Sequence, residues 1–263
     1  MLYGTKPAEG GNYLFTEDEM LAFIVEEPAS ERYFIPFIGA DDMINGFNRY
    51  CLYLRSCPSS ELRKMPLVQE RVKRVVSMRS NSKKQATKKL ADYPTLLAED
   101  RYSPTRIMVM PRHSSETREY IPVGFFDPPA MCSDSSFHIA NADLYTFGIF
   151  SSRMHMSWMR VVCGRLKGDY RYSNTLVYNN FPWPLPTEKQ RAAIEEAANE
   201  ILNVRNLYED STLADLYDPP MQVELRKAHE KLDKSVENAY GKKFDSDAQR
   251  VTYLFERYKE LLK

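Results

Sequence analysis

The sequence predicts an α+β chain: a mixed α/β region over residues 1–186, packed on or followed by an all-helical region over residues 187–263. Three observations lead there. Short aromatic and β-branched runs alternate with helical spacing as far as the stretch Phe181-Pro182-Trp183-Pro184-Leu185-Pro186. Beyond it come long amphipathic patterns with no strand signal. Charge is also distributed in blocks: residues 61–186 carry 19 Lys+Arg against 11 Asp+Glu, whereas residues 1–60 carry 4 against 9 and residues 187–263 carry 13 against 16.

Taken in order, residues 1–15 are Gly-rich and aromatic and read as an extended entry. Thr16 and Glu19 have the spacing of a capping box, in which a hydroxyl and a carboxylate each accept from the other's backbone amide. They open a short helix through Phe23, Ile24 and Val25 that stops before Pro28. Arg32 to Ile38 and Phe47 to Leu54 read as strands, with Asn45 and Gly46 at the turn between them. From Val68 to about Met78 the period is helical, with Val68, Val72, Val75 and Val76 on one stripe. Arg79 falls within that stripe, so either the helix has ended there or the arginine leaves the core surface for a purpose. The next stretch, Ser80 to Lys89, is polar and basic. Further strands are expected at Arg106–Met110, Tyr120–Phe126 and Phe137–Ala140, and a helix at Leu144–Val162. A basic, tyrosine-rich loop follows from Gly164 to Tyr172. In the last region, Thr187 with Gln190 opens a helix to about Tyr208. A second runs from Val223 to Tyr240, with Gly241 as its stop, and a third starts at Ser246.

At 263 residues the chain is long enough for one large domain or two modest ones. No apolar run approaches the roughly 20 residues of a membrane helix, and the N-terminus lacks the apolar core of a signal peptide; a cytoplasmic protein is expected. Cys51, Cys57, Cys132 and Cys163 form no Cys-x-x-Cys pair, so reduced thiols are expected and no metal site. The formal net charge is zero, and any polyanion binding should centre on the basic middle region.

Catalytic signatures are scarce. Asp127-Pro128-Pro129-Ala130 and Asp218-Pro219-Pro220-Met221 are reminiscent of the Asp-Pro-Pro-aromatic motif that holds a flipped adenine in amino-methyltransferases. Neither has the aromatic residue, and neither follows a Gly-rich strand–turn–helix. Asp-Pro-Pro is also a good turn sequence, and both copies are read as turns. His113, His138, His155 and His229 have no obvious Asp or Cys partners. The segment that stands out is Pro111 to Pro122. On an extended chain Glu116 and Arg118 would share one face. Glu can accept from cytosine N4, and Arg can donate to guanine O6 and N7, so the two could read one C·G pair. The spacing alone favours an exposed strand with alternating charges, or a Glu–Arg pair that stabilises only itself.

The residues resemble the C-terminal half of the MmeI-like single-chain restriction–modification enzymes and their methyltransferase-only relatives. The resemblance runs in one order through Gly10-Gly11-Asn12-Tyr13-Leu14, Pro36-Phe37-Ile38-Gly39-Ala40, Arg49-Tyr50-Cys51-Leu52 and Arg118-Glu119-Tyr120-Ile121-Pro122. It continues through Cys163-Gly164-Arg165-Leu166-Lys167, Tyr178 to Pro184, and Leu213-Ala214-Asp215-Leu216-Tyr217-Asp218-Pro219. The resemblance implies a DNA target-recognition domain followed by a C-terminal helical domain. The adenine-N6 methyltransferase domain and its S-adenosylmethionine site would lie upstream in the same polypeptide, so this chain would have no cofactor and no catalytic residue. It also implies that Glu116 and Arg118 help fix one base pair of double-stranded DNA, with Lys84 and Tyr120 where a second specificity pair is expected. Lys83, Lys88, Arg165, Lys167 and Arg171, together with Lys84, are expected at the phosphate backbone, where contacts position without specifying. The competing expectations are a protein-interaction scaffold that does not bind DNA, and a self-sufficient methyltransferase using Asp127-Pro128-Pro129.

Overall fold

A computed structural model describes residues 1–263. The first third comprises β1 (Leu2–Tyr3), β2 (Leu14–Thr16), α1 (Glu17–Glu26), β3 (Phe34–Ile38), α2 (Ala40–Asn45), β4 (Arg49–Leu52), α3 (Ser59–Leu62), α4 (Pro66–Ser80) and α5 (Gln85–Lys89). The middle holds β5 (Ile107–Pro111), β6 (His113–Ser114), β7 (Gly124–Phe126), β8 (Met131–Cys132), β9 (Ser136–Ala140), α6 (Leu144–Phe150), α7 (Arg153–Val162), β10 (Gly164–Leu166) and β11 (Asp169–Arg171). The last part is helical: α8 (Glu188–Arg205), α9 (Leu213–Tyr217), α10 (Val223–Ala239) and α11 (Asp247–Leu261). The chain is therefore α+β, as its residue pattern predicts.

The strands form three small sheets, ordered β1-β9-β5-β7, β2-β4-β3-β8 and β10-β11-β6. All neighbours are antiparallel except β3 and β8. β5 is buried at every position, Ile107 to Pro111. One apolar core of 14 residues lies between the β2-β4-β3-β8 sheet and α1 and α4. A larger core of 33 residues joins β5 and β9 to α6, α7, α8, α10 and α11. Pro186 thus marks a change of composition and not a break in packing: Ile194, Ala198 and Leu232 close directly on Gly148 of α6, where an added Cβ would lie 2.8 Å from Ile194 Cγ2.

The capping boxes at Thr16/Glu19 and Thr187/Gln190 form in both directions, and Gly241 ends α10 with φ +71°. Several expectations are corrected. The turn expected at Asn45-Gly46 is a whole helix, α2, started by the Asp42 carboxylate on the Gly39 amide (2.7 Å) and ended by left-handed Gly46. The helix expected over Leu144–Val162 is two helices, because the Ser152 hydroxyl caps His155 N and restarts the helix as α7. The strand expected from Tyr120 begins only at Gly124. The polar stretch after α4 contains the short helix α5.

Arg79 shows why an arginine sits on an apolar stripe. The helix continues through it, its side chain is fully buried, and its guanidinium donates to five backbone carbonyls: Pro7 (3.4 Å), Ala8 (3.1 Å), Leu90 (3.1 Å), Tyr93 (3.1 Å) and Leu96 (2.8 Å). Five donors in a rigid fork serve five carbonyls, of which those of Ala8 and Leu96 have no backbone amide of their own. α5 lies in the chain between Arg79 and Leu90, so the arginine fixes both ends of the lysine-bearing stretch.

Candidate nucleic-acid interface

The basic loop expected over Gly164–Tyr172 is a β-hairpin. Its two-residue turn, Lys167-Gly168, has positive φ at both positions, 53° and 103°, the backbone that matches the twist of a hairpin. β11 pairs onward with β6, setting Arg171 opposite His113 and Tyr170 opposite Ser114. The Arg165 guanidinium lies 4.1 Å from the centroid of the Tyr170 ring, and its Nη1 donates to the Gly168 carbonyl (2.7 Å). Arg165, Lys167 and Arg171 are all exposed. The ribbon therefore presents three cations on a short, well-anchored hairpin.

Directly after β6, residues Ser115 to Arg118 form a turn closed by Arg118 N donating to Ser115 O (3.3 Å). This corrects the extended segment read from the spacing: Glu116 and Arg118 do not share a strand face, and they do not pair with each other. The Glu116 carboxylate is exposed and lies against the hairpin, 3.3 Å from Arg165 Nη1. Arg118 turns the other way. Its side chain is 10% exposed, and Nε donates to Asp218 Oδ1 at 2.6 Å.

Arg118 also lines an open polar cleft of about 530 Å³, with Asp41, Ile44 and Asn45 of α2, Arg49, His113, Ser115, Ser135 and Asp169. Arg49 is engaged within this wall by two bonds to Asp42, at 2.7 and 2.6 Å. Burial, with Arg112 and Arg171 nearby, keeps the His113 imidazole below its usual pKa. The cleft thus mixes donors and acceptors and is not a purely cationic groove. The residue pattern did not reveal α2 as one wall, because six residues carry too little periodicity.

Tyr120, expected in a second specificity pair, is buried; its hydroxyl donates to Asp233 (2.7 Å), and its ring stacks on His229 at 4.0 Å. In this arrangement the phenol is part of the core. Lys83, Lys84 and Lys88 are exposed around α5, which packs on α4 and the turn Leu90–Asp92; none of the three lines the cleft. The structure therefore brings Arg165, Lys167 and Arg171 together on one ribbon with Glu116 lying against it, sets Arg118 in the adjoining cleft, and leaves Lys83, Lys84 and Lys88 elsewhere.

The Asp-Pro-Pro sequences are both accounted for without chemistry on a methyl donor. Asp127 is exposed and lies 3.3 Å from Arg106 Nε, and Asp218 holds Arg118. There is no group of three or more His, Cys, Asp or Glu placed to hold a metal, and no helix is long and apolar enough to cross a membrane.

A polar cleft and a basic ribbon, carried on two packed cores, define a recognition domain braced by helices. Comparison makes the class specific. Residues 1–185 match the family described as MmeI, target recognition domain, and residues 186–263 match MmeI, C-terminal domain. The chain belongs to the MmeI family. It is 41% identical over 261 residues to DNA methyltransferase A of Bacillus subtilis (strain 168), covering 98% of this chain and 30% of that protein. The type IIL restriction–modification enzyme MmeI, solved in complex with DNA, superposes with a TM-score of 0.96 at 46% identity, over 99% of this chain and 35% of that one. The chain spans about a third of the length of these relatives.

Proposed function

We propose that this chain reads the DNA sequence for a site-specific methyltransferase of a restriction–modification system, with Glu116 and Arg118 at base edges of double-stranded DNA. The observation that carries the site is the placement of Arg118 in a polar cleft beside the basic ribbon, in a chain that belongs to the MmeI target-recognition family. The DNA-bound MmeI structure supports the same partner. We place the methyltransferase domain, its S-adenosylmethionine and adenine-N6 chemistry upstream in the same polypeptide, in the cytoplasm. The B. subtilis relative, a DNA methyltransferase of which this chain matches a minor part, supports a methyltransferase portion elsewhere in the polypeptide.

A two-stranded ribbon fits the major groove of B-DNA. The exposed Glu116–Arg165 pair must open for Glu116 to reach cytosine N4. Such a pair is worth at most about 1 kcal/mol, whereas a good base contact is worth about 1–3 kcal/mol of discrimination, so the exchange favours DNA. Arg165, Lys167 and Arg171 on the ribbon, and Lys83, Lys84 and Lys88 around α5, are assigned to phosphates, with Lys84 retained as a second base-reading position. Tyr120 is assigned to the scaffold. The test is sequencing of modified bases in cells expressing the full-length polypeptide with Arg118→Ala. One position of the methylated motif should become degenerate; an unchanged motif removes the reading.

A further inference from the structure

Arg118 makes a single side-chain hydrogen bond, through Nε to Asp218. Its two Nη groups have no protein partner, yet neither belongs to the buried nitrogens that lack one; they remain accessible, on a residue that lines the cleft. A guanidinium reads guanine O6 and N7 with a pair of N–H groups, and anchoring through Nε leaves the Nη fork for that purpose. Asp218 is itself fixed. It follows α9 directly, with its amide on the Ala214 carbonyl (2.8 Å). It is flanked by Tyr217, whose hydroxyl meets Arg205 Nε (3.0 Å) and His229 Nε2 (2.9 Å), and by buried Met221. The backbone of the reading turn is held from the same side, by Arg160 Nη2 on the carbonyls of Arg118 (3.4 Å) and Glu119 (3.1 Å), and by Arg226 on the Glu119 carboxylate (2.8 Å).

We infer that Asp218 is a positioning residue for sequence reading: a carboxylate from the C-terminal helical segment that orients the Arg118 fork toward a guanine edge. The inference rests on the reading of Arg118 proposed above. An arginine with several rotatable bonds samples many directions, and one short charge-assisted bond at Nε removes most of that freedom before DNA arrives. Asp218 then affects discrimination at one base pair while touching no base itself.

The test compares Arg118→Ala, Asp218→Ala, Asp218→Asn and the Arg118/Asp218 double variant in the full-length polypeptide. Methylation rates are measured on competing duplexes that differ at the base pair relaxed by Arg118→Ala, with circular dichroism on each protein. Asp218→Ala should lower discrimination at that base pair by roughly tenfold and leave the other positions unchanged. Asp218→Asn, whose Oδ1 still accepts from Nε, should restore part of it, and the double variant should match Arg118→Ala. If Arg118→Ala relaxes the base pair and Asp218→Ala does not, the buttress is overturned while the reading stands. Faster methylation with full discrimination would make Asp218 a competitor for Arg118, and also overturns it, as does uniform loss at every position. If Arg118→Ala leaves the motif unchanged, the reading itself fails and the buttress with it.

Discussion

Replacing Arg79 by Met keeps the length and the apolar stem of the side chain but removes every donor from a fully buried site. Five hydrogen bonds are lost, three at 3.1 Å and one each at 2.8 and 3.4 Å; the Pro7, Leu90 and Tyr93 carbonyls keep a backbone amide, and those of Ala8 and Leu96 are left with none. Hydrogen bonds to a charged donor are worth about 1.5–3 kcal/mol each, so simple addition gives roughly 7–15 kcal/mol. That sum is too large, because the carbonyls of Leu90, Tyr93 and Leu96 lie on irregular backbone that can shift toward water. It also ignores the desolvation cost that the buried cation no longer bears. The expected cost is about 3–5 kcal/mol, the usual range when a buried charged network loses one member.

The two tryptophans make the assay selective. Trp158 belongs to the 33-residue core and Trp183 packs against it, whereas Arg79 sits on α4, beside the other core. In urea, far-ultraviolet circular dichroism should show an earlier transition for Arg79→Met, and tryptophan fluorescence should move less. Because Arg79 fixes both ends of the stretch carrying Lys83, Lys84 and Lys88, the salt dependence of DNA binding should also flatten below the midpoint. A loss below about 1 kcal/mol by circular dichroism would refute the reasoning, since it would mean that the five carbonyls rehydrate freely.

Tyr120→Phe removes the hydroxyl from Asp233, whose carboxyl burial already raises to about 6; a cost of about 1–3 kcal/mol in urea is expected with an unchanged methylation motif, and an altered motif would return Tyr120 to the base-reading set. Gly148→Ala should cost about 1–3 kcal/mol by thermal unfolding, because the new methyl meets Ile194 at 2.8 Å and Leu232 at 3.2 Å; a neutral change would show that α6 and α8 separate easily. Stability should fall with acid. Burial pushes His155 and His229 down to about 3 and His138 to about 4, so below pH 6.5 they take up protons only when unfolded. Asp233 acts oppositely between about 6 and its ordinary 3.8, where only the native state binds its proton. Against these three imidazoles, that leaves two uncompensated protons, about 2.7 kcal/mol lost per pH unit from 6 toward 4. A flat urea midpoint between pH 6 and 4.5 would contradict this.

What could be read from the residues depended on how local the cause was. α8, α10 and α11 were legible because their stripes run over four or more turns; α8 and α11 also have side-chain caps within three residues, and α10 is ended by Gly241. The break at Ser151-Ser152 was not, because Leu144, Phe147, Phe150, Met154 and Trp158 keep helical spacing across it; the restart depends on one hydroxyl, Ser152. α2 and α9 were missed for their length. At the site, residue spacing found the segment but misread its geometry. An alternating Glu-x-Arg fits a strand, and only the contacts of Arg118 with Asp218, a hundred residues away, and of Glu116 with the hairpin show a turn. The buried role of Tyr120 was equally illegible, since Asp233 and His229 meet it through tertiary packing alone.

The arrangement combines, in one segment, a rigid frame with an exposed turn. On its upstream side, Pro111 and Ser114 are buried in the sheets. On its downstream side Tyr120, Ile121 and Val123 are 2% exposed or less. Only the turn between them, with Glu116 and Thr117 exposed, projects. Substitution at Glu116 removes at most one exposed ion pair, so it alters what the turn presents at little cost to the fold. Substitution at Arg118 is different, because it leaves Asp218 half exposed without its cation. On the reading proposed above, a change of specificity at Arg118 is therefore expected to require a matching change at Asp218, in the C-terminal helical segment. A pair of coupled positions so far apart in the chain is what a recognition domain and its helical brace produce when they share one core.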